Sequence, residues 1–155
     1  MNKFLLAVHV LAAIVAVGPV TVAASMFPPS ARKALAEPGD AQALSTVRVL
    51  HRICRVYATV GVAVPVFGFA TAKNMGVLGD TWLIVSIALT ALAAVVLAAL
   101  VLPRQTAIVE GIQRDAGTVS ARATARLAMF TGLFNLLWAT VTVLMIVRPG
   151  STTGA

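Results

Sequence analysis

Two histidines and one cysteine are the side chains of this sequence that could bind a metal or a proton in an apolar setting. His9 lies within FLLAVHVLAAIVAVGPVTVA, residues 4–23, where it is the one ionisable residue. Such a residue in a membrane-spanning segment indicates a functional site, because burying it in lipid is costly. We consider two roles for His9: a cofactor or proton site, or a packing residue hydrogen-bonded to Thr142, Ser86 or a backbone carbonyl.

His51 and Cys54 are three residues apart and would share one face of a helix. Two ligands make a weak metal site, and neighbouring cations oppose metal binding, so we predict no metal here. Cys54 is interpreted as a small packing residue. The group Arg48, His51, Arg52 and Arg55 is predicted to contact lipid headgroups at the membrane surface.

The elements that hold these residues are predicted to be transmembrane helices. Hydrophobic residues make up 59% of the 155 residues and charged residues only 11%, a balance typical of a membrane protein. Four apolar stretches reach the length of about 20 residues that crosses a bilayer, at 4–26, 53–72, 82–102 and 127–147. They lack the alternation of transmembrane strands. We predict an all-α fold, a polytopic transmembrane four-helix bundle forming one domain over residues 1–155.

The first apolar stretch has a second interpretation as a cleaved signal peptide, with Lys3 as its basic start and residues 22–24 as a processing site. Its apolar run exceeds the usual signal core of roughly 7–15 residues. We therefore expect this segment to be retained as the first span.

The placement of the basic residues predicts orientation. Nine of the twelve lie in or beside the connections 27–52 and 103–126. The positive-inside rule then places both connections in the cytoplasm and both termini outside, in a multi-pass protein of the cell membrane. No aromatic-rich basic motif accompanies the charge, so the expected partner is the lipid bilayer and not nucleic acid.

Prolines and capping residues predict where helices end, bend and begin. The pair Pro28 and Pro29 should end or bend the first span, and residues 30–37 could form a short surface helix. Pro65 predicts a kink in the second span, and Pro103 marks the exit of the third, after which a polar helix could continue to Gly117. The predicted N-caps are Asp40, Asp80 and either Thr118 or Ser120.

The inward faces of the bundle are predicted from small and hydrogen-bonding residues, which mark helix contacts in lipid. The predicted intramembrane polar packing residues are Ser86, Thr90, Thr131, Asn135 and Thr142. The antiparallel order of the spans places His9 level with Gly68 and Thr142, and places His51 at the opposite end. The two histidines are therefore not expected to be opposite ligands of one haem.

HVLAAIVAVGP in the first span and LHRICRVYA at the start of the second resemble a family of uncharacterised bacterial four-helix integral membrane proteins. More distantly, the chain is similar to copper-resistance D-type and protoporphyrinogen-oxidase J-type membrane proteins. The resemblance implies the four-span plan over residues 4–147. By analogy with the J-type enzymes, it also implies that His9 is the residue to bind haem.

The sequence does not favour an enzyme, because it has no paired carboxylates, no phosphate-binding glycine loop and no nucleophile with a base, so no catalytic residue is assigned. All five acidic residues fall outside the spans, which argues against a proton-coupled transporter. We interpret the chain as an accessory or scaffold protein that associates with membrane subunits, lipids or further copies of itself. The alternatives are a haem-binding or redox protein using His9 and, third, a small transporter.

Overall fold

The structure, a computed structural model, describes residues 2–151. Four long apolar segments are helical, at Lys3–Ala36, Ala41–Met75, Thr81–Arg114 and Ala121–Val147. The described residues contain no strand, which confirms the all-α transmembrane fold. Met1 and residues 152–155 of the predicted domain lie outside the described residues.

Helix α1 (Asn2–Ala36) continues through Pro28 and Pro29. Of the two predicted effects of these prolines, an end or a bend, the end of the helix is wrong, and a bend stays a prediction. Residues predicted as a separate surface helix are the last turns of α1. Prolines remove backbone donors, but neighbouring helices make them tolerable in membrane helices. Here Ala24, Phe27 and Ala31 are fully buried around the proline pair, so packing keeps this part of α1 helical.

Helix α2 (Ala41–Val60) begins at the predicted cap, where the Asp40 carboxylate accepts the N–H groups of Gln42 at 2.9 Å and Ala43 at 3.2 Å. The chain is interrupted at Gly61 before α3 (Ala63–Met75). Gly61 lies four residues before Pro65. In a regular helix, a proline ring clashes with the backbone carbonyl of the residue four positions earlier, which here is Gly61. The interruption agrees with the kink predicted for Pro65.

A short turn joins α3 to α4 (Thr81–Val95), with Gly76 in the left-handed conformation at a φ of 72°. Asp80 occupies the N-cap position, but its carboxylate makes no capping hydrogen bond. It accepts the indole N–H of Trp82 at 3.0 Å instead. The predicted cap is therefore correct in position and wrong in its side-chain bond.

The third membrane segment continues past Pro103 without a break. A π-helical stretch, Val96–Val101, joins α4 to α5 (Leu102–Arg114), and a single 3₁₀ turn follows at Ala116–Thr118. The predicted polar continuation is present and ends at Arg114. Helix α6 (Ala121–Val147) starts at Ser120, whose hydroxyl accepts the Ala123 N–H at 3.3 Å.

Helix α1 lies at the centre and packs against α2, α3 and α6, while α6 also packs against α4. Helix α5 closes the bundle against α2 at the end formed by residues 27–52 and 103–126, which we call the basic end. The main core lies towards this end and includes Phe27, Val47, Cys54, Val101 and Leu127. A smaller cluster of Ala72, Trp82 and Leu83 lies at the opposite end.

Candidate functional site

His9 lies against α3, where its Nδ1 is 3.0 Å from the carbonyl oxygen of Val64. A Cβ built on Gly68 would come within 2.8 Å of His9 Cε1, so the ring occupies the space that glycine leaves open. The contact confirms that His9 and Gly68 share one level. Three hydrogen-bond partners were predicted for His9: Thr142, Ser86 or a backbone carbonyl. The structure shows the backbone carbonyl.

Thr142 and Ser86 bond within their own helices. The exposed Thr142 hydroxyl donates to the Trp138 carbonyl at 2.9 Å, and the buried Ser86 hydroxyl donates to the Trp82 carbonyl at 2.7 Å. Thr90 likewise donates to the Ser86 carbonyl. These hydroxyls thus satisfy their bonding potential locally and link no two helices.

His51 belongs to a polar network that joins α2 to α5. Its Nδ1 lies 3.0 Å from Gln105 Oε1, and its Nε2 lies 3.2 Å from Thr106 Oγ1. The Gln105 amide donates onward to Cys54 Sγ at 3.5 Å. The ring of Phe27 meets the His51 ring edge-on, with centroids 6.4 Å apart. Both ring nitrogens of His51 therefore have partners inside the protein.

Gln105 is the residue of this network that the sequence interpretation missed. It is 0% exposed, and a buried amide is retained only where its hydrogen bonds are made. Its place in the sequence could have revealed it, because Gln105 recurs with Val101 and Ile108 at helical spacing. All three side chains are buried. A polar residue on that stripe indicates a partner on another helix.

The two histidines are far apart, as predicted. Phe27, which contacts His51, lies roughly 27 Å further along α1 than His9 at 1.5 Å per residue. Among residues 2–151, no three His, Cys, Asp or Glu side chains converge as metal ligands would. The histidines consequently do not form one shared metal or haem site.

The arginines of α2 named as headgroup contacts, Arg48, Arg52 and Arg55, are all exposed at the basic end. With the Gln113 amide oriented so that its oxygen faces α2, Arg48 donates to that oxygen from Nε at 2.8 Å and from Nη2 at 3.0 Å. Headgroup contact by this group, including His51, stays a prediction.

A groove of about 240 Å³ runs between α1 and α6. Asn135 Nδ2 donates to Ser25 Oγ across it at 3.1 Å. The other amide atom, Asn135 Oδ1, is buried without a partner, and so is the hydroxyl of Thr131, a residue only 3% exposed. Gly132 borders the groove, and a Cβ there would meet nothing within 4 Å. The groove therefore has open space at Gly132, and two of its lining residues have a buried polar atom without a partner.

Comparison with known proteins decides the family. The model of a family described as "Predicted integral membrane protein (DUF2269)" matches residues 3–149. The chain belongs to this family. No curated protein and no solved structure matches the chain. The family membership establishes an integral membrane protein, consistent with the resemblance to an uncharacterised membrane family, while similarity to the copper-resistance D-type and J-type proteins stays a prediction.

Proposed function

We propose that this chain is an accessory membrane protein whose α1–α6 groove binds the transmembrane helix of another membrane protein. The observation that supports the proposal is a groove with open space at Gly132, whose lining residues Asn135 and Thr131 each have a buried polar atom without a partner, Oδ1 and Oγ1. An unpaired polar group within a membrane costs free energy that a partner side chain can recover.

The shape of the groove suits a helix. Ala128 and Gly132 stand four residues apart on α6 and line the groove, so they form a small-residue surface one helical turn long. Small residues at this spacing allow two helix backbones to approach closely. A lipid acyl chain could fill the same space, but it has no donor for Asn135 Oδ1.

The charge at one end of the groove favours a different protein over a second copy. Arg32 lines the groove at the basic end. It is not part of the salt bridge found among residues 2–151, which joins Arg114 and Glu110. Two copies side by side in one orientation would bring their basic ends together, and the formal net charge of each is +7. A partner helix with an acidic residue at that level, a hydroxyl or amide donor for Asn135 and a small residue opposite Gly132 meets all three features.

Substitutions in the groove test this proposal against a matched control. Gly18 on α1 is exposed and, like Gly132, has nothing within 4 Å of a built Cβ. After mild solubilisation of native membranes, the wild-type chain and Gly18→Leu should migrate in a complex larger than the monomer on native gels. Gly132→Leu should migrate as the monomer, because leucine fills the groove. Loss of the complex in both variants, or its presence in both, would contradict the proposal.

Co-expression of two differently tagged copies distinguishes the helix of another protein from a second copy of this chain as the occupant of the groove. We expect each tag to recover the complex without the other tag. Recovery of both tags in one complex would replace the partner helix with a second copy of this chain.

The orientation of His9 favours a second candidate, a haem-linked function. If Nδ1 carries the proton donated to the Val64 carbonyl, Nε2 keeps its lone pair, which is the arrangement typical of a ligating histidine. His9 lines neither of the two grooves described above. A haem band in the purified protein that is lost in His9→Ala would establish this alternative. A colourless, folded protein from haem-replete cells would exclude it.

We also propose that the basic end faces the cytoplasm, with both termini outside. The concentration of arginines at that end supports this orientation. A single cysteine introduced as Ser120→Cys in a Cys54→Ser background should react with a membrane-impermeant maleimide only after the cells are opened. Labelling in intact cells would reverse the orientation.

A further inference from the structure

A second groove, of about 310 Å³, lies between α5 and the start of α6 at the basic end. Arg104 borders it from α5 and Arg126 from α6, and Ser120 borders it from the connection. The connection folds closely over α5 because Gly111 leaves room for Val119, whose Cγ2 would lie 2.5 Å from a Cβ at residue 111. Two arginine residues thus border one groove, and close packing of the connection on α5 forms part of its wall.

The Arg104 side chain is fixed in place. Its Nη1 donates to the Leu100 carbonyl at 3.0 Å, and its guanidinium lies over the Phe130 ring, 4.5 Å from the centroid. A guanidinium has several further N–H donors, so this anchoring leaves donors for a ligand. A positioned arginine loses less conformational entropy on binding an anion than a freely moving one.

No protein anion is paired with either arginine in the described part of the chain, where the recorded salt bridge joins Arg114 and Glu110. Asp115 does not line the groove, and its carboxylate accepts the Gly117 N–H at 2.9 Å. Two like charges that border one groove repel each other unless an anion lies between them.

The level of the groove matches that of lipid headgroups. Arg104 follows the apolar stretch that ends at Leu102, and Arg126 directly precedes the one that starts at Leu127. Beyond the arginines, Met129 and Leu133 are exposed apolar side chains on α6. An anion bound by both arginines would therefore have acyl-chain surface on one side and the polar connection on the other.

We propose that this groove is a binding site for the phosphate of an anionic membrane lipid, held by Arg104 and Arg126. Arginine suits this ligand because its planar group donates two parallel hydrogen bonds to a phosphate. The site is independent of the α1–α6 groove, since neither arginine lines that groove.

Lipid binding by the purified full chain tests the site. Phosphatidylglycerol is titrated into detergent micelles, and bound lipid is counted by mass spectrometry of the intact complex. Arg126→Gln and Arg104→Gln should each raise the dissociation constant about tenfold, the loss expected for one charge-assisted contact. Arg122→Gln removes the same charge from an exposed residue that does not line the groove, and it should change the constant less than about twofold.

Equal losses from Arg122→Gln and Arg126→Gln would replace the site with diffuse attraction by the basic end. Soluble glycerol phosphate should fail to displace the lipid; displacement at equal concentration would identify a free phosphate ester as the ligand and overturn the lipid assignment. Arg126 is exposed, so its variant decides the matter if Arg104→Gln does not fold.

Discussion

The imidazole of His9 lies directly against the backbone of Gly68, with Cε1 only 2.8 Å from the point where a Cβ at residue 68 would be. The same ring is bonded to the Val64 carbonyl one turn earlier on α3. The first and third helices are thus held together by a polar side chain that needs a glycine opposite it. This contact explains why a histidine is accommodated in an otherwise apolar span.

Gly68→Ala should destabilise the bundle, because the new methyl group would force the His9 ring away from α3. Overpacking of this kind costs about 1–3 kcal/mol. Gly18→Ala is the matched control, since its methyl group would enter open space. Unfolding in mixed micelles with increasing sodium dodecyl sulfate measures both. Equal stabilities of the two variants would show that His9 does not need Gly68.

The bond between His51 and Gln105 should contribute to the stability of the basic end. Gln105→Leu removes the acceptor of His51 Nδ1, and leaving a buried polar group unpaired costs about 1–3 kcal/mol. His51→Leu and the double variant complete a mutant cycle. We expect a coupling energy of about 0.5–3 kcal/mol between the two positions. Strictly additive effects would mean that the network adds nothing beyond packing.

The Asp40 cap should make the start of α2 sensitive to acid. The N–H groups of Ala43 and Gln42 hold the pKa of the Asp40 carboxyl below its ordinary value. A lowered folded pKa contributes stability that is present above the ordinary pKa of the carboxyl and is lost as the pH falls through the folded pKa. Asparagine caps a helix at any pH, so Asp40→Asn should lose less Tm between pH 7 and pH 3 than the wild type. The same loss in both proteins would assign the acid effect to other carboxyl groups.

Local signals in the sequence were sufficient for the start of α2, and they limited the start of α6 to two residues, Thr118 and Ser120. Asp40 and Ser120 cap α2 and α6 through bonds to N–H groups within three residues, which need no tertiary contact. Asp80 shows the limit of this reasoning. Its carboxylate could accept either a backbone N–H of the first turn of α4 or the indole N–H of Trp82. In the structure it accepts the indole N–H.

Features that depend on contacts between helices were harder to predict. The Pro28 and Pro29 pair predicted an end or a bend, and the end is wrong, because the packing of Phe27 outweighs the missing backbone donors and α1 continues. Of the predicted polar packing residues, Thr131 and Asn135 line the α1–α6 groove, and Thr142 is exposed. The sequence pattern could not show that Asn135 Oδ1 would be left unpaired, because this depends on the exact separation of α1 and α6.

Photo-crosslinking from Leu136 tests the central claim, binding of a partner helix in the α1–α6 groove, most directly. Leu136 is exposed one turn beyond Gly132 on α6, so a photoreactive phenylalanine analogue there leaves the groove open. The protein is irradiated in native membranes, and the same analogue at the exposed Val66 of α3 is the control. We expect one product from residue 136 alone, joined to a transmembrane helix of another protein with an acidic residue level with Arg32. A product containing only lipid, a dimer of this chain, or equal yields from both positions would contradict binding of a partner helix in the groove.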